Sequence, residues 1–113
     1  MSDCIFCKIV NKEIPSNPIY EDDLVLCFHD VAPQAPVHAL LISKKHIPSM
    51  DHVSEGDKEI MGHMMVKIRE IAETLDLKNG YRVVNNCGED GMQTVPHIHF
   101  HIMGKRKMAW PPG

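Results

Sequence analysis

The sequence has no long apolar run and no large excess of charge of either sign. No stretch approaches the roughly 20 consecutive apolar residues that a membrane-spanning helix needs. Lys and Arg total 12 against 15 Asp and Glu, which leaves a formal net charge of −3. This balance argues against a surface that coats nucleic acid and against a polybasic membrane anchor. Any phosphate must therefore be bound by a local arrangement of groups.

Internal repeats, low-complexity segments and linkers are also lacking. A chain of 113 residues that is 43% apolar is long enough for one domain with a real core, so we expect residues 1–113 to form a single domain. The N-terminal Met1-Ser2-Asp3-Cys4 lacks the charged and apolar regions of a signal peptide, which favours a cytoplasmic protein. In that compartment, four cysteines are more typical of thiols or metal ligands than of disulfides.

Hydrophobic periodicity predicts two helices and several short strands. The first helix is predicted over residues 4–12. The second begins at a capping box formed by Ser54 and Asp57 and ends in the turn at residues 78–80. Strands are predicted over 24–28, 37–42, 81–85 and 97–103, with an extended stretch after the prolines at 15 and 18. Short strands with hairpin-sized loops and one long helix favour an antiparallel α+β domain.

The last predicted strand carries three histidines in strict alternation. His97, His99 and His101 share one face, and the apolar residues between them share the other. Neutral imidazole is a good nucleophile toward phosphorus because its pKa lies at about 6.5. Neighbouring imidazoles can donate hydrogen bonds to phosphate oxygens as charge develops. The pattern therefore favours a phosphate-binding active site over a solvated strand face or a metal site made of alternating histidines.

The loop before this strand and the N-terminal cysteine pair offer two further kinds of site. Gly88, Gly91 and the polar residues beside them can supply N–H donors to an anion. Cys4-x-x-Cys7 would form a tetrahedral zinc site with two more ligands, which spacing alone does not select from eight histidines. The alternatives are two thiols without metal, or a small zinc-binding interaction module, which would leave the histidine pattern unexplained. No thioredoxin-like βαβ pattern surrounds the pair, so a redox role is not favoured.

The segment His97-Ile98-His99-Phe100-His101-Ile102 resembles the triad motif of the histidine triad (HIT) family of nucleotide hydrolases and transferases. Residues 5–9, 13–15 and 28–38 are similar to that family's N-terminal segment and nucleoside-binding strand and loop. The Trp110-Pro111-Pro112-Gly113 ending is similar to the Hint branch. The resemblance implies an α+β fold with about five antiparallel strands, one long and one short helix, and a homodimer that joins two sheets into one.

The same resemblance implies an activity. His99 would attack the α-phosphorus of a purine nucleotide and form a nucleotidyl-histidine, with no metal needed for the chemistry. His97 and His101 would position the phosphate, and His38 would buttress His97. The expected substrates are purine nucleoside phosphoramidates or related adenylated compounds. The alternatives are a dinucleoside polyphosphate hydrolase and a nucleotide-binding scaffold or sensor with little turnover. The family's transferase branch has glutamine in place of His101, so hydrolysis is favoured.

The resemblance also implies binding residues. Asp30 would accept hydrogen bonds from the ribose hydroxyls. HIT members with a similar cysteine pair imply that His46 and His97 are the remaining ligands of a structural zinc ion. Met92 stands where the Hint branch has glycine, which predicts a reshaped anion loop. The apolar slot for the base would comprise Ile5, Phe6, Ile9, Phe28 and Val31. The remaining nucleotide-binding residues would be His29, Asn86, Gly91, Gln93 and Thr94.

Overall fold

A five-stranded antiparallel sheet forms the centre of the computed structural model, with its strands side by side in the order Pro18–Glu21, Val25–His29, Val37–Ser43, His99–Gly104 and Tyr81–Val84. The structure describes residues 3–113; Met1 and Ser2, part of the N-terminal segment interpreted above, lie outside the described residues. The predicted α+β class, with five strands, one long helix and one short helix, is confirmed. The elements are α1 (Ile5–Val10), β1 (Pro18–Glu21), β2 (Val25–His29), β3 (Val37–Ser43), α2 (Lys58–Thr74), β4 (Tyr81–Val84) and β5 (His99–Gly104).

The first helix and the last strand are shorter than predicted. Cys4 is the N-cap of α1, where its sulfur accepts a hydrogen bond from the Cys7 N–H. Strand β5 begins at His99 and not at His97. Pro96 has no N–H to donate to a ladder, and the His97 N–H donates to Val95 O. His97 therefore lies on the segment that leads into the sheet, although the alternation of faces continues there, since Ile98 packs with Phe100 and Ile102.

The predicted capping box forms, but it caps a single 3-10 turn, Glu55–Asp57, that leads directly into α2. The Asp57 carboxylate accepts a hydrogen bond from the Ser54 N–H at 2.9 Å. Its other oxygen accepts from Lys45 Nζ at 2.6 Å. The helix then buries one apolar stripe against the sheet, which comprises Ile60, Met64, Ile68, Ile71 and Ala72.

The sheet has a hydrophobic core on each face. Alternation assigns Phe100 and Ile102 of β5 to the α2 face, and therefore His99 and His101 to the opposite face. The larger core joins α2 to Val25, Cys27, Ala39, Leu41, Ile98, Phe100 and Ile102. The smaller core joins α1 to the other side of the sheet and comprises Phe6, Ile9, Leu26, Phe28, Leu40 and Ile42. The histidines of β5 thus share their face with the smaller core.

Neither helix within residues 3–113 combines the length and the apolar character needed to cross a membrane.

Among the cysteines, Cys27 lies in the larger core, where burial raises its thiol pKa to about 12. This thiol is therefore protonated at neutral pH and acts as a small apolar side chain.

A partly buried carboxylate, that of Asp22, ties β1 and the start of β2 to α2. Asp22 accepts hydrogen bonds from His63 Nε2 at 2.6 Å and from the Tyr20 hydroxyl at 2.7 Å. It also accepts from the backbone N–H groups of Leu24 and Val25. Burial by itself would raise the pKa of Asp22, but these four donors outweigh it and hold the pKa well below its usual range. The charged form is therefore the one that the fold stabilises.

We predict that Asp22→Asn lowers the free energy of unfolding at pH 7 by about 2 kcal/mol, because charge-assisted hydrogen bonds are lost. A folded-state pKa below the unfolded value of about 4 contributes stability above that pH and loses it as the pH falls. The difference between wild type and variant should therefore shrink below about pH 4. Denaturant unfolding at pH 7 and pH 3 measures it, with Asp23→Asn, at the exposed neighbouring residue, as the control. An equal difference at both pH values would contradict the assignment.

Candidate active site

The pairing of β3 with β5 brings two histidines together on the face that carries the smaller core. Leu40 lies opposite His101 and His38 lies opposite Met103, so His38 and His101 are diagonal neighbours. Their Nε2 and Nδ1 atoms are 2.9 Å apart and share a hydrogen bond. His38 is 5% exposed, whereas His101 is only partly buried. The expected contact of His38 with His97 is wrong, because the strand register places His38 beside His101.

The backbone determines which nitrogen of His38 carries the proton. The Gln34 N–H donates to His38 Nδ1 at 3.0 Å, so the proton of the neutral ring resides on Nε2. That Nε2–H donates to His101 Nδ1, and the Asp30 carboxylate lies 3.4 Å from the same nitrogen. Since Nδ1 of His101 is an acceptor, its own proton is on Nε2. His101 therefore has an N–H donor on the opposite side of its ring.

His99 is held in the tautomer opposite to that of His101, with its proton on Nδ1. Its Nδ1–H donates to the backbone carbonyl of His97 at 2.7 Å, which leaves the lone pair on Nε2. The ring packs edge-to-face against Phe6, with 5.0 Å between centroids, and lies 5.1 Å from the ring of His101. Asn85 Nδ2 donates to the His99 carbonyl at 2.9 Å. Hydrogen bonds therefore hold both the ring and the backbone of His99 in place.

The imidazoles of His38, His97 and His101 have lowered pKa values and are neutral at pH 7. Burial, with smaller contributions from His99 and His38, lowers the pKa of His101 to about 4. Burial also lowers the pKa of His38, and Asp30 opposes this in part. For His97, burial is again the main cause of a lowered pKa. Since the rings are uncharged, each has one donor and one acceptor nitrogen, and the tautomer decides which atom meets a ligand.

His97 packs against Phe6, as His99 does, but its two ring nitrogens face groups other than those around His99 and His101. Its ring is fully buried, and its Nε2–H donates to the Ser43 carbonyl at 2.6 Å. Its Nδ1 faces the sulfurs of Cys4 at 3.3 Å and Cys7 at 3.5 Å. Both ring nitrogens of His97 are therefore engaged by these groups.

Four groups converge at this point and fit a tetrahedral metal site. His46 Nδ1 lies 3.2 Å from both Cys7 Sγ and His97 Nδ1. All four ligand atoms, from Cys4, Cys7, His46 and His97, lie within 4.8 Å of one another. Tetrahedral zinc with the usual bond lengths requires about 3.3 Å between nitrogens and about 3.6 Å between nitrogen and sulfur. The hydrogen bond to Ser43 also leaves the required lone pair on His97 Nδ1.

The apolar residues expected to bind a base are divided between core and surface. Phe6, Ile9 and Phe28 are buried together in the smaller core. Ile5 is 47% exposed, and Val31 is fully exposed. Val31 therefore does not pack with the other four residues. These positions give a partly formed apolar surface beside His99, carried by α1 and the end of β2.

Asp30 and His29 lie where β2 ends and the following loop begins. Asp30 directly follows β2, and one of its oxygens accepts a hydrogen bond from the Ala32 N–H at 2.8 Å. Its side chain keeps 17% of its surface exposed, so it remains accessible to a ligand. His29 is the last residue of β2 and is partly buried. Its backbone N–H donates to Asn17 O, and its role stays a prediction.

Side chains of the loop before the triad brace the loop itself. Asn86 Nδ2 donates to the Gly91 carbonyl at 2.6 Å. Gln93 donates to Pro48 O and Val95 O, and accepts a hydrogen bond from the Gly88 N–H. A direct phosphate contact by Asn86 or Gln93 therefore stays a prediction, as does one by the exposed Thr94.

Two backbone positions shape this loop. A Cβ at Gly91 would lie 2.4 Å from the Cys87 carbonyl oxygen, so only glycine fits there. Met92 adopts φ +60, in the left-handed region that L-residues with side chains rarely occupy. Its side chain is 74% exposed. The loop thus closes tightly at Gly91 despite methionine at the next position.

Three contributors to the site were missed from the sequence. Asn85 positions His99, and a polar side chain directly after a strand was the available signal. The Gln34 N–H and the Ser43 carbonyl fix the tautomers of His38 and His97 through the backbone. Backbone groups are present at nearly every residue, so no sequence pattern identifies them.

The chain matches known proteins over nearly its full length. The HIT domain family model matches residues 11–108. An uncharacterized HIT-like protein of Synechocystis sp. is 48% identical over 111 residues, which covers 98% of this chain and 97% of the relative.

Solved structures show the same fold. A HIT family hydrolase from Legionella pneumophila superposes with a TM-score of 0.96 at 43% identity, over 98% of this chain and 100% of that one. A histidine triad protein from Clostridium difficile gives a TM-score of 0.92 at 46% identity, over 96% of both chains. Sequence and structure together show that this chain belongs to the histidine triad (HIT) domain family.

Proposed function

We propose that the protein is a nucleotide-binding hydrolase that cleaves the α-phosphate linkage of purine nucleoside phosphoramidates or related adenylated compounds. The observation that carries this proposal is the pair of complementary tautomers at neighbouring rings. His99 has a lone pair on Nε2, and His101 has a proton on Nε2. The similarity to a HIT family hydrolase of Legionella pneumophila supports hydrolysis as the reaction class.

In the proposed first step, His99 Nε2 attacks the α-phosphorus. A P–N bond forms and the bond to the leaving group breaks; the leaving group departs with the electron pair and, when it is an amine, takes up a proton from solvent. Positive charge then develops on the His99 ring, and the His97 carbonyl stabilises it through the Nδ1–H hydrogen bond. The His101 Nε2–H donates to a non-bridging phosphate oxygen, where negative charge accumulates.

In the second step, water attacks the phosphorus of the nucleotidyl-histidine. The P–N bond breaks, His99 Nε2 regains its lone pair, and the water proton is released to solvent. The products are a nucleoside monophosphate and a free enzyme in its starting tautomer. The enzyme's tautomers need not rearrange between turnovers, since the Nδ1 partner of His99 is a fixed backbone carbonyl.

Substrate binding is proposed on both sides of His99. Asp30 has an accessible carboxylate that suits the vicinal hydroxyls of a ribose. Ile5 presents exposed apolar surface for a purine base, and the largely buried Phe6 and Ile9 would line the same slot. The braced loop at residues 86–94 supplies backbone N–H groups for the phosphate.

We further propose that Cys4, Cys7, His46 and His97 hold a structural zinc ion. Two thiolates and two imidazoles form a donor set that zinc prefers, and their separations fit its tetrahedral geometry. When bound, the ion supplies a cross-link between the N-terminal segment and the residues that precede β5. His97 would then act on His99 by holding its own backbone carbonyl in place, as a positioning residue.

The proposed homodimer would pair the β4 strands of two chains. Strand β4 lies at an edge of the described sheet, and Tyr81 and Val83 are 41% and 40% exposed. Helix α2 adds the exposed Met65 and Val66. An edge with unpaired backbone groups and apolar side chains is suited to pairing with a second copy.

We predict that His99→Ala abolishes release of AMP from an adenosine phosphoramidate, with a loss of about 1,000-fold or more in kcat. Nucleotide affinity should change little, because Asp30 and the apolar residues are retained. Mass spectrometry of wild type quenched during turnover should detect a nucleotide mass on the peptide that contains His99.

His52→Ala, which alters an exposed histidine, is the control for this substitution and should retain activity. Equal turnover by wild type and His99→Ala would overturn the mechanism. Binding by the wild type without any release would favour the scaffold alternative. Cleavage of dinucleoside polyphosphates in preference to phosphoramidates would favour the other hydrolase alternative.

We predict about one zinc ion per chain for the wild type by elemental analysis, and almost none for Cys4→Ser/Cys7→Ser. The variant should also melt at a lower temperature, because the N-terminal segment loses its cross-link. Cys87→Ser changes a thiol outside the cluster and should keep the metal. A metal-free, fully folded wild type would refute the zinc assignment.

We predict that the wild type has the mass of a dimer in light scattering and that Tyr81→Lys/Val83→Lys shifts it toward the monomer. Charged residues on an edge strand oppose pairing with another strand. Val31→Lys introduces the same residue at another exposed valine and should leave the mass unchanged. A wild type that is monomeric at high concentration would exclude this dimer.

A further inference from the structure

A second group of metal-ligand atoms lies beside His99, separate from the cysteine cluster. It consists of a carboxylate oxygen of Asp30, Nε2 of His38 and Nδ1 of His101. His38 Nε2 is 2.9 Å from His101 Nδ1 and 3.4 Å from the Asp30 carboxylate. All three atoms lie within 4.8 Å of one another. We call this set the Asp-His-His pocket.

We propose that, when no nucleotide is bound, the Asp-His-His pocket binds one divalent transition-metal ion of the Zn²⁺ or Co²⁺ type, and that this ion excludes the nucleotide. The exclusion rests on the proposed function, which assigns Asp30 to the ribose and His101 to the phosphate. Two imidazoles and one carboxylate are a common ligand set for such ions and leave a coordination position open for water.

The pocket can accept an ion with small movements. Zinc with two imidazole ligands places their nitrogens about 3.3 Å apart, so the His38 and His101 rings need to separate by a few tenths of an ångström and to tilt until both lone pairs point at the ion. Asp30 and His101 are only partly buried, which gives an ion a path from solvent. Asp30 also lies at the start of a loop, where the carboxylate can adjust.

Binding changes the tautomer of His38 but not the number of protons on the protein. His38 Nε2 must present a lone pair, so its proton moves to Nδ1 through solvent. Nδ1 then no longer accepts the hydrogen bond from the Gln34 N–H. Gln34 is exposed, so its peptide can turn toward water. The lost hydrogen bond makes the pocket a weaker metal site than the cysteine cluster, which needs no such rearrangement.

The two sites should therefore fill in sequence. A first equivalent of zinc occupies the two thiolates and two imidazoles, which are already arranged around a common centre. A further equivalent enters the Asp-His-His pocket and blocks the proposed ribose and phosphate contacts. Excess zinc should inhibit the hydrolase competitively with nucleotide, while the first equivalent should not.

The test is a calorimetric titration of Zn²⁺ into protein that already holds one equivalent. We expect one further binding event per chain in the wild type, weakened at least tenfold in Asp30→Asn. Asp76→Asn changes an exposed carboxylate elsewhere on the chain and should leave the event unchanged. No further event, or equal binding by wild type and Asp30→Asn, would overturn the proposal.

A Co²⁺ titration of Cys4→Ser/Cys7→Ser gives an independent readout, because absorption bands report the ligands. Weak bands without thiolate charge transfer, lost on adding Asp30→Asn, would support the pocket. Bands that persist without Asp30 would instead place the ion on other ligands and contradict it. Circular dichroism establishes that each variant is folded.

Competition with AMP separates this inference from the proposed function. If saturating AMP suppresses the second Zn²⁺ event and phosphoramidate is cleaved, both stand. If AMP binds without suppressing that event, the exclusion is wrong. If no second Zn²⁺ binds while AMP binds and phosphoramidate is cleaved, the proposed function stands and the proposal that the pocket binds a metal ion is wrong.

Discussion

The hydrogen bond from His99 Nδ1 to the His97 carbonyl is the interaction on which the candidate active site depends. It joins a ring on β5 to the backbone two residues earlier, so the ring can neither rotate nor exchange tautomers without losing a partner in a buried setting. A buried donor left without an acceptor is costly. The lone pair of His99 is therefore directed by the same segment that carries His97 toward the cysteines.

Backbone groups determine the tautomers of the surrounding histidines as well. The Gln34 N–H places the proton of His38 on Nε2, and His38 in turn makes His101 a donor through its far nitrogen. The Ser43 carbonyl does the same for His97. Backbone atoms cannot titrate, so these assignments hold as long as the rings are neutral and the sheet and its loops are intact.

The fold connects this chemistry to both faces of the sheet. Helix α2 and its apolar stripe hold the strands from one side, while α1 brings Phe6 and the cysteine pair to the other. His97 connects the metal-ligand cluster to His99. Its ring is part of the cluster, and its backbone carbonyl accepts the hydrogen bond from His99 Nδ1. The Asp-His-His pocket lies beside His99, so two separate groups of metal-ligand atoms flank the proposed nucleophile.

Local patterns determined much of this protein. The apolar stripe of α2, the Ser54–Asp57 capping box, the short strands and the alternation of His99 with His101 follow from periodicity within a few residues, and the motifs identify the family. Only the tertiary structure decided which residues contact one another at the site. Strand register placed His38 beside His101, the packing of α1 on the sheet brought Cys4 and Cys7 to His97, and packing brought Asn85 to His99. Side-chain period is a local property of the chain, whereas register, loop closure and backbone hydrogen bonds join residues that are distant in sequence.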